Sequence, residues 1–168
     1  MVNILVKLSA AAICAVGLTA CDTNSPGGYG AGGVAGGIKP GSPSDPASLA
    51  YFQQTIGDRV LFAVDQSTLS PEAISILDGQ ANWLLQSTQY VVTIEGHADE
   101  QGTREYNLAL GARRASAAQN YLVSRGVADN RVKTVTYGKE RPLEICSTEA
   151  CWSKNRRAVT IVRAGLGS

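Results

Sequence analysis

The run from Tyr90 to Gly126 constrains the fold more than any other part of the chain. Tyr90 to Glu95 reads as a strand carrying Val91, Val92 and Ile94. A polar loop follows, from Gly96 to Thr103. Thr103 then caps a long helix over Arg104 to Arg125, and Gly126 ends it. Leu108, Ala112, Ala115 and Leu122 are expected on its inner face, with alanines small enough to bring the helix close to a sheet. A chain of this kind must stack helix on sheet.

The neighbouring segments extend that plan. Asp45-Pro46 marks a helix start, with Asp45 as cap and a short helix over Ala47 to Thr55 carrying Leu49 and Phe52 inward. Arg59 to Val64 is a short apolar strand. Ser70-Pro71 opens a second helix to Ser87, with Ile74, Leu77, Ala81, Leu84 and Leu85 on one face. Val132 to Tyr137 is a third strand. Gly138 to Lys154 is a long connection, and Arg157 to Val162 a fourth strand. Two βαβ units with right-handed crossovers follow from this order. The expected class is a two-layer α/β (α+β) domain, a small mixed four-stranded sheet packed with helices.

The first 46 residues have a different character. Lys7 precedes an apolar stretch from Leu8 to Ala20, and no acid appears before Asp22. That is the layout of a secretory signal, and the stretch is short for a membrane span. Leu18-Thr19-Ala20-Cys21 resembles a bacterial lipobox, which implies residues 1–20 as signal and Cys21 as the acylated residue. Residues 21–46 hold the tract of Gly, Ser and Pro. Eight glycines lie between Gly27 and Gly41, and such a tract buries too little to order itself. It reads as a flexible tether to a domain over residues 47–168.

Charge excludes one class of partner. Lys plus Arg count 15 and Asp plus Glu 14, a net charge of +1, so no nucleic-acid binding by bulk electrostatics is expected. Cys146 and Cys151 suit a disulfide in an oxidising compartment. The alternative is zinc, but His97 is the chain's one histidine and carboxylates would have to complete the site.

The densest polar cluster is His97 to Thr103, where a strand end meets a helix N-terminus, a usual place for small ligands. Asn107, Leu110 or Gly111, and Arg114 share a helix face by steps of three and four. Arg114 is expected to point away from the core stripe and to meet a ligand together with Asp99. Asp99 would receive an ammonium and Arg114 a carboxylate. Lys154-Asn155-Arg156-Arg157 adds a second basic group, which is either a solvated face or part of the site.

Ile94 to Ala115 closely matches the signature of the OmpA C-terminal domain family. Phe62 to Ser70, Tyr137 to Pro142 and Cys151 to Val159 resemble further parts of it. The resemblance runs from about Arg59 to Val162. It implies non-covalent binding of the peptidoglycan peptide stem, centred on meso-diaminopimelate. By motif position it implies Asp99 for the ligand amine and Arg114 for its carboxylate. Phe62, Asp65, Gly102 and Thr103 would frame the pocket, Asn107 and Leu108 would edge it, and Arg157 would contribute. It further implies a lipid anchor in the outer membrane with the domain facing the periplasm. The implied partners are TolB and the Tol inner-membrane complex, in the Tol–Pal system that draws the outer membrane inward at division. Neither a cofactor, a metal nor a catalytic residue is implied.

Two departures stand out. Many family members have Phe-Asp-x-Asp where this chain has Phe62-Ala63-Val64-Asp65. Asp22 after the cysteine resembles an enterobacterial signal for inner-membrane retention. Other readings are an OmpA-like wall anchor of another envelope system and a peptidoglycan hydrolase using His97, Asp99 and Glu100. Against the hydrolase, no serine or cysteine nucleophile is paired with the lone histidine by any motif.

Overall fold

A computed structural model describes residues 39–165. The expected signal, Cys21 and most of the expected tether lie outside the described residues. The elements are α1 (Leu49–Tyr51, continued by a π-helical turn over Phe52–Gly57), β1 (Arg59–Leu61), α2 (Pro71–Gln86) and β2 (Tyr90–His97). After them come α3 (Arg104–Ser124), a 3-10 turn (Asp129–Arg131), β3 (Val132–Gly138), α4 (Glu149–Asn155) and β4 (Arg157–Ala164).

The four strands form one sheet in the order β1-β4-β2-β3. β4 is antiparallel to both its neighbours, and β2 is parallel to β3. β1 therefore runs parallel to β2 with β4 inserted between them. The expected mixed sheet and helix layer are what the chain forms. The core lies between the sheet and α1, α2 and α3, built on Phe52, Val60, Leu77, Leu84, Val92, Ile94 and Leu122.

Several boundaries differ from expectation, each for a local reason. Asp45 does not cap a helix. Its carboxylate accepts from the Gly41 and Ala47 backbone N–H groups, closing a turn. Ser48 is the cap, accepting from Tyr51 N–H, so the helix begins at Leu49, and Leu49 itself is exposed. Residues 39–46, expected as the end of the tether, form successive turns tied to the domain. Thr55 donates to Pro43 O and Trp83 Nε1 to Pro46 O. β1 stops at Leu61: Phe62 N–H still donates to Arg156 O in register, but the chain then turns away, with Gln66 N–H donating to Ala63 O. The long connection contains α4, whose seven residues, just under two turns, are too few to show helical periodicity.

The buried stripe of α3 is also displaced from expectation. It consists of Asn107, Leu110, Gly111, Arg114, Ala115, Ala118 and Leu122, while Leu108 and Ala112 are only half-buried. Gly96 sets this rotation. A Cβ on Gly96 would lie 1.9 Å from Gly111 O, so β2 and α3 cross backbone to backbone. At the far end of α3, Gly126 N–H donates to Val123 O and Val127 N–H to Leu122 O, and Gly126 adopts φ 100°. That closes the helix with a left-handed cap and buries Val127 beside Leu122.

Candidate functional site

The topology brings three chain segments to one end of the sheet. β1 delivers Phe62 to Gln66, β2 delivers His97 to Asp99, and the start of β4 delivers Arg156. Because β4 lies between the two parallel strands, their carboxyl ends flank Arg156. The N-terminus of α3 closes the fourth side, capped by Thr103 Oγ1, which accepts from Tyr106 N–H at 3.2 Å. A cleft of about 290 Å³ opens here, lined by Val64, Asp65, Asp99, Gln101, Gly102, Tyr106, Asn107 and Leu110.

Its polar atoms are mainly acceptors. Asp99 is 7% exposed. Its Oδ1 accepts from Gln101 N–H at 3.2 Å and its Oδ2 from Arg156 Nη1 at 3.1 Å. Asp65 sits at φ 57°, a left-handed conformation that turns the loop sharply, and its carboxylate accepts from the Tyr106 hydroxyl. Asn107 Nδ2 donates to Gln101 O at 2.8 Å, which fixes the amide. Its Oδ1 is buried with no hydrogen-bond partner among the described residues.

Arg114 lies behind this cleft and does not open into it. Its side chain is the largest fully buried one among the described residues. Nε donates to Gln66 O at 2.8 Å, Nη1 to His97 O at 2.9 Å and Nη2 to Ala63 O at 3.1 Å. The Phe62 ring lies 5.3 Å from its guanidinium carbon. Burial pushes the Arg114 pKa down to about 10, opposed by the nearby Asp99, so the group stays charged at neutral pH. Arg114 thus does not point away from the core, as the helix spacing had suggested. Its stripe is the core stripe, and its length carries the guanidinium to three loop carbonyls.

Arg156, and not Arg114, makes the direct contact with Asp99. Nε donates to Phe62 O at 3.2 Å, and the two terminal nitrogens are shared between Asp99 and Glu149. Burial lowers its pKa, but the bonds to Glu149 and Asp99 outweigh that and raise it overall.

The other expected residues separate into groups. Asp65, Asp99, Gly102 and Asn107 line the cleft, and Thr103 caps the helix beside it. Phe62 is buried beneath. Leu108 faces β3, where its carbonyl accepts from Thr136 Oγ1 at 2.9 Å. Arg157 is on the other face of the sheet. The next residue, Ala158, packs in the core, and neighbours in a strand point to opposite sides. Arg157 instead donates to Asn155 O and Arg141 O. Tyr106 and Val64 are site residues that the sequence reading did not select, and Arg156, Gln101 and Leu110 entered it only through the basic group, the polar loop and the shared helix face. The same strand alternation would have put only one of Arg156 and Arg157 at the cleft.

The residues that invited an acid–base reading are not assembled for it. His97 is buried, its ring nitrogens have no hydrogen-bond partner among the described residues, and Glu95 Oε2 lies 3.8 Å away. Burial, then Arg157 and Arg141, push its pKa down to about 4. Glu100 accepts from Trp152 Nε1 outside the cleft. Cys146 and Cys151 are joined in a disulfide with a Cα–Cα distance of 5.8 Å. Among the described residues no cluster of His, Cys, Asp and Glu is placed to hold a metal, and no helix is long and apolar enough to cross a membrane.

Comparison with known proteins places this geometry. The pattern of the OmpA family matches residues 61–156. The peptidoglycan-associated lipoprotein of Mesorhizobium japonicum is 53% identical over 132 residues, covering 79% of this chain and 78% of that one. Its counterpart in Pseudomonas aeruginosa is 48% identical over 130 residues, covering 77% and 72%. The crystal structure of the peptidoglycan-associated lipoprotein from Burkholderia pseudomallei superposes with a TM-score of 0.64 at 35% identity, covering 72% of this chain and 98% of that one. The C-terminal domain of Helicobacter pylori MotB shares the fold at a TM-score of 0.60 and 17% identity, covering 65% and 86%. With its signature loop at the mouth of the cleft and its match spanning most of the folded domain, the chain belongs to the OmpA family, among the peptidoglycan-associated lipoproteins.

Proposed function

We propose that the cleft binds the peptide stem of peptidoglycan non-covalently, at its meso-diaminopimelate residue. The observation that carries this is the convergence of Asp99, Asp65 and the unpartnered Asn107 Oδ1 on one small cleft at a helix N-terminus. Three acceptors suit an ammonium, and the N–H groups at the start of α3 suit a carboxylate. Diaminopimelate carries both on a short zwitterion, and a site with both characters satisfies it. The names of the relatives, peptidoglycan-associated lipoproteins, support the same ligand. Arg114 acts from behind, by holding the Ala63 to Gln66 loop that presents Asp65.

The wider role follows from the anchor. Cys21 is acylated after removal of residues 1–20, and the glycine-rich tract lets the domain reach the wall from the outer membrane. The protein ties that membrane to peptidoglycan and works in the Tol–Pal system during division, with TolB competing for the surface around the cleft. Full chain in detergent is expected to sediment with purified sacculi, and excess TolB to reduce the sedimented fraction. A folded chain that stays in the supernatant would refute wall binding. Sedimentation indifferent to TolB would refute the competition alone.

A further inference from the structure

The Asp99–Arg156 pair has a third member that the binding reading does not use. Glu149, in the first turn of α4, bonds both terminal nitrogens of Arg156, with Oε2 at 3.3 Å from Nη1. Its side chain is 61% exposed, while Arg156 is 5% and Asp99 9% exposed. One guanidinium is therefore shared by two carboxylates, and the trio carries a net charge of −1. Without Glu149, Arg156 would neutralise Asp99 alone, and the cleft would keep only the Asp65 carboxylate to draw an ammonium.

What holds Glu149 there is short and local. α4 has seven residues, and the disulfide joins Cys151 within it to Cys146 just before it. The bridge thus encloses Glu149. It also fixes the residue after Cys151, Trp152, whose Nε1 donates to Glu100 in the same loop as Asp99. Cys146 is exposed, so a thiol can reach it.

We propose that Glu149 is a positioning residue for the cleft, held by the Cys146–Cys151 disulfide, and that reducing this disulfide weakens binding of a cationic ligand group. The proposal rests on the reading of the cleft given above. Reduction requires a dithiol. The Cys146–Cys151 bond breaks, two electrons and two protons from the dithiol leave two cysteine thiols, and the dithiol closes to its own disulfide.

The test titrates the full chain with two tripeptides, one ending in meso-diaminopimelate and one in which its distal amine is replaced by hydrogen. Oxidised wild type is expected to prefer the first. Glu149→Gln, dithiothreitol-reduced wild type and the Cys146→Ser/Cys151→Ser double variant are each expected to lose about five-fold affinity for it. Their affinity for the second peptide should stay unchanged, which a merely structural fault would not produce. Glu149→Asp is expected to restore most of the preference. Full affinity and preference in Glu149→Gln would overturn the proposal and leave the binding reading intact. Failure of oxidised wild type to bind either peptide would overturn both.

Discussion

Two buried guanidinium groups stand behind the cleft, and their partners divide their duties. Arg114 spends its donors on three backbone carbonyls and serves the loop. Arg156 gives Nε to the Phe62 carbonyl but both terminal nitrogens to carboxylates, and serves the charge of the site. The spacing along α3 correctly grouped Asn107, Leu110 and Arg114. It could not tell that this face was the buried one, because an arginine there reads as solvated until its partners are known. Those partners are carbonyls of residues 17 to 51 positions away, which no local pattern reports. His97 gives a prediction at this scale. The fold holds its ring neutral, with the pKa pushed from the ordinary 6.5 to about 4. Between those values the unfolded chain binds more protons, so stability is intact above pH 6.5 and falls as the pH drops to about 4. The loss from this residue is on the order of 3 kcal/mol. Urea unfolding at pH 7 and pH 4 should show a smaller drop for His97→Gln than for wild type. Equal drops would contradict the assignment.

Among the elements, the crossing of β2 and α3 fixes the site more than any other contact. Gly96 and Gly111 let the two backbones touch, and this sets which face of α3 is buried and where its N-terminus points. Gly96→Ala is expected to cost at least the ~1–3 kcal/mol of an overpacked core, because its Cβ would meet a backbone oxygen and not a movable side chain. Gly79→Ala, in α2, meets only Ile56 Cγ2 at 3.0 Å and gains helix propensity, so it should be far milder. An unchanged urea midpoint for Gly96→Ala would contradict the close crossing. Long elements were legible in the sequence. α2 with its Ser70 cap and α3 with its Gly126 stop carry strong periodic and capping signals. α4 was not legible, since seven residues, only the first three of them within the disulfide loop, carry less than two turns of pattern.

At the scale of the whole molecule, the sheet order assembles the cleft. Inserting β4 between two parallel strands places Arg156 between the segments that carry Asp65 and Asp99. The mixed sheet was inferable from the order of elements, but this insertion was not, because sequence order does not specify strand neighbours. The family signature located the Asp99 loop directly, since its residues are contiguous. The partners of that loop come from residues 62–66 and 156, brought in only by the fold. The binding proposed for the cleft turns on Asp99 receiving the amine of a diaminopimelate stem. Calorimetric titration of the full chain with a diaminopimelate-ending stem peptide tests it most directly, with Asp99→Asn beside wild type. Saturable binding by wild type, weakened in Asp99→Asn by the ~2–5 kcal/mol of a lost buried charge contact, is the expected result. Equal binding by the two folded proteins, or none by either, would contradict it.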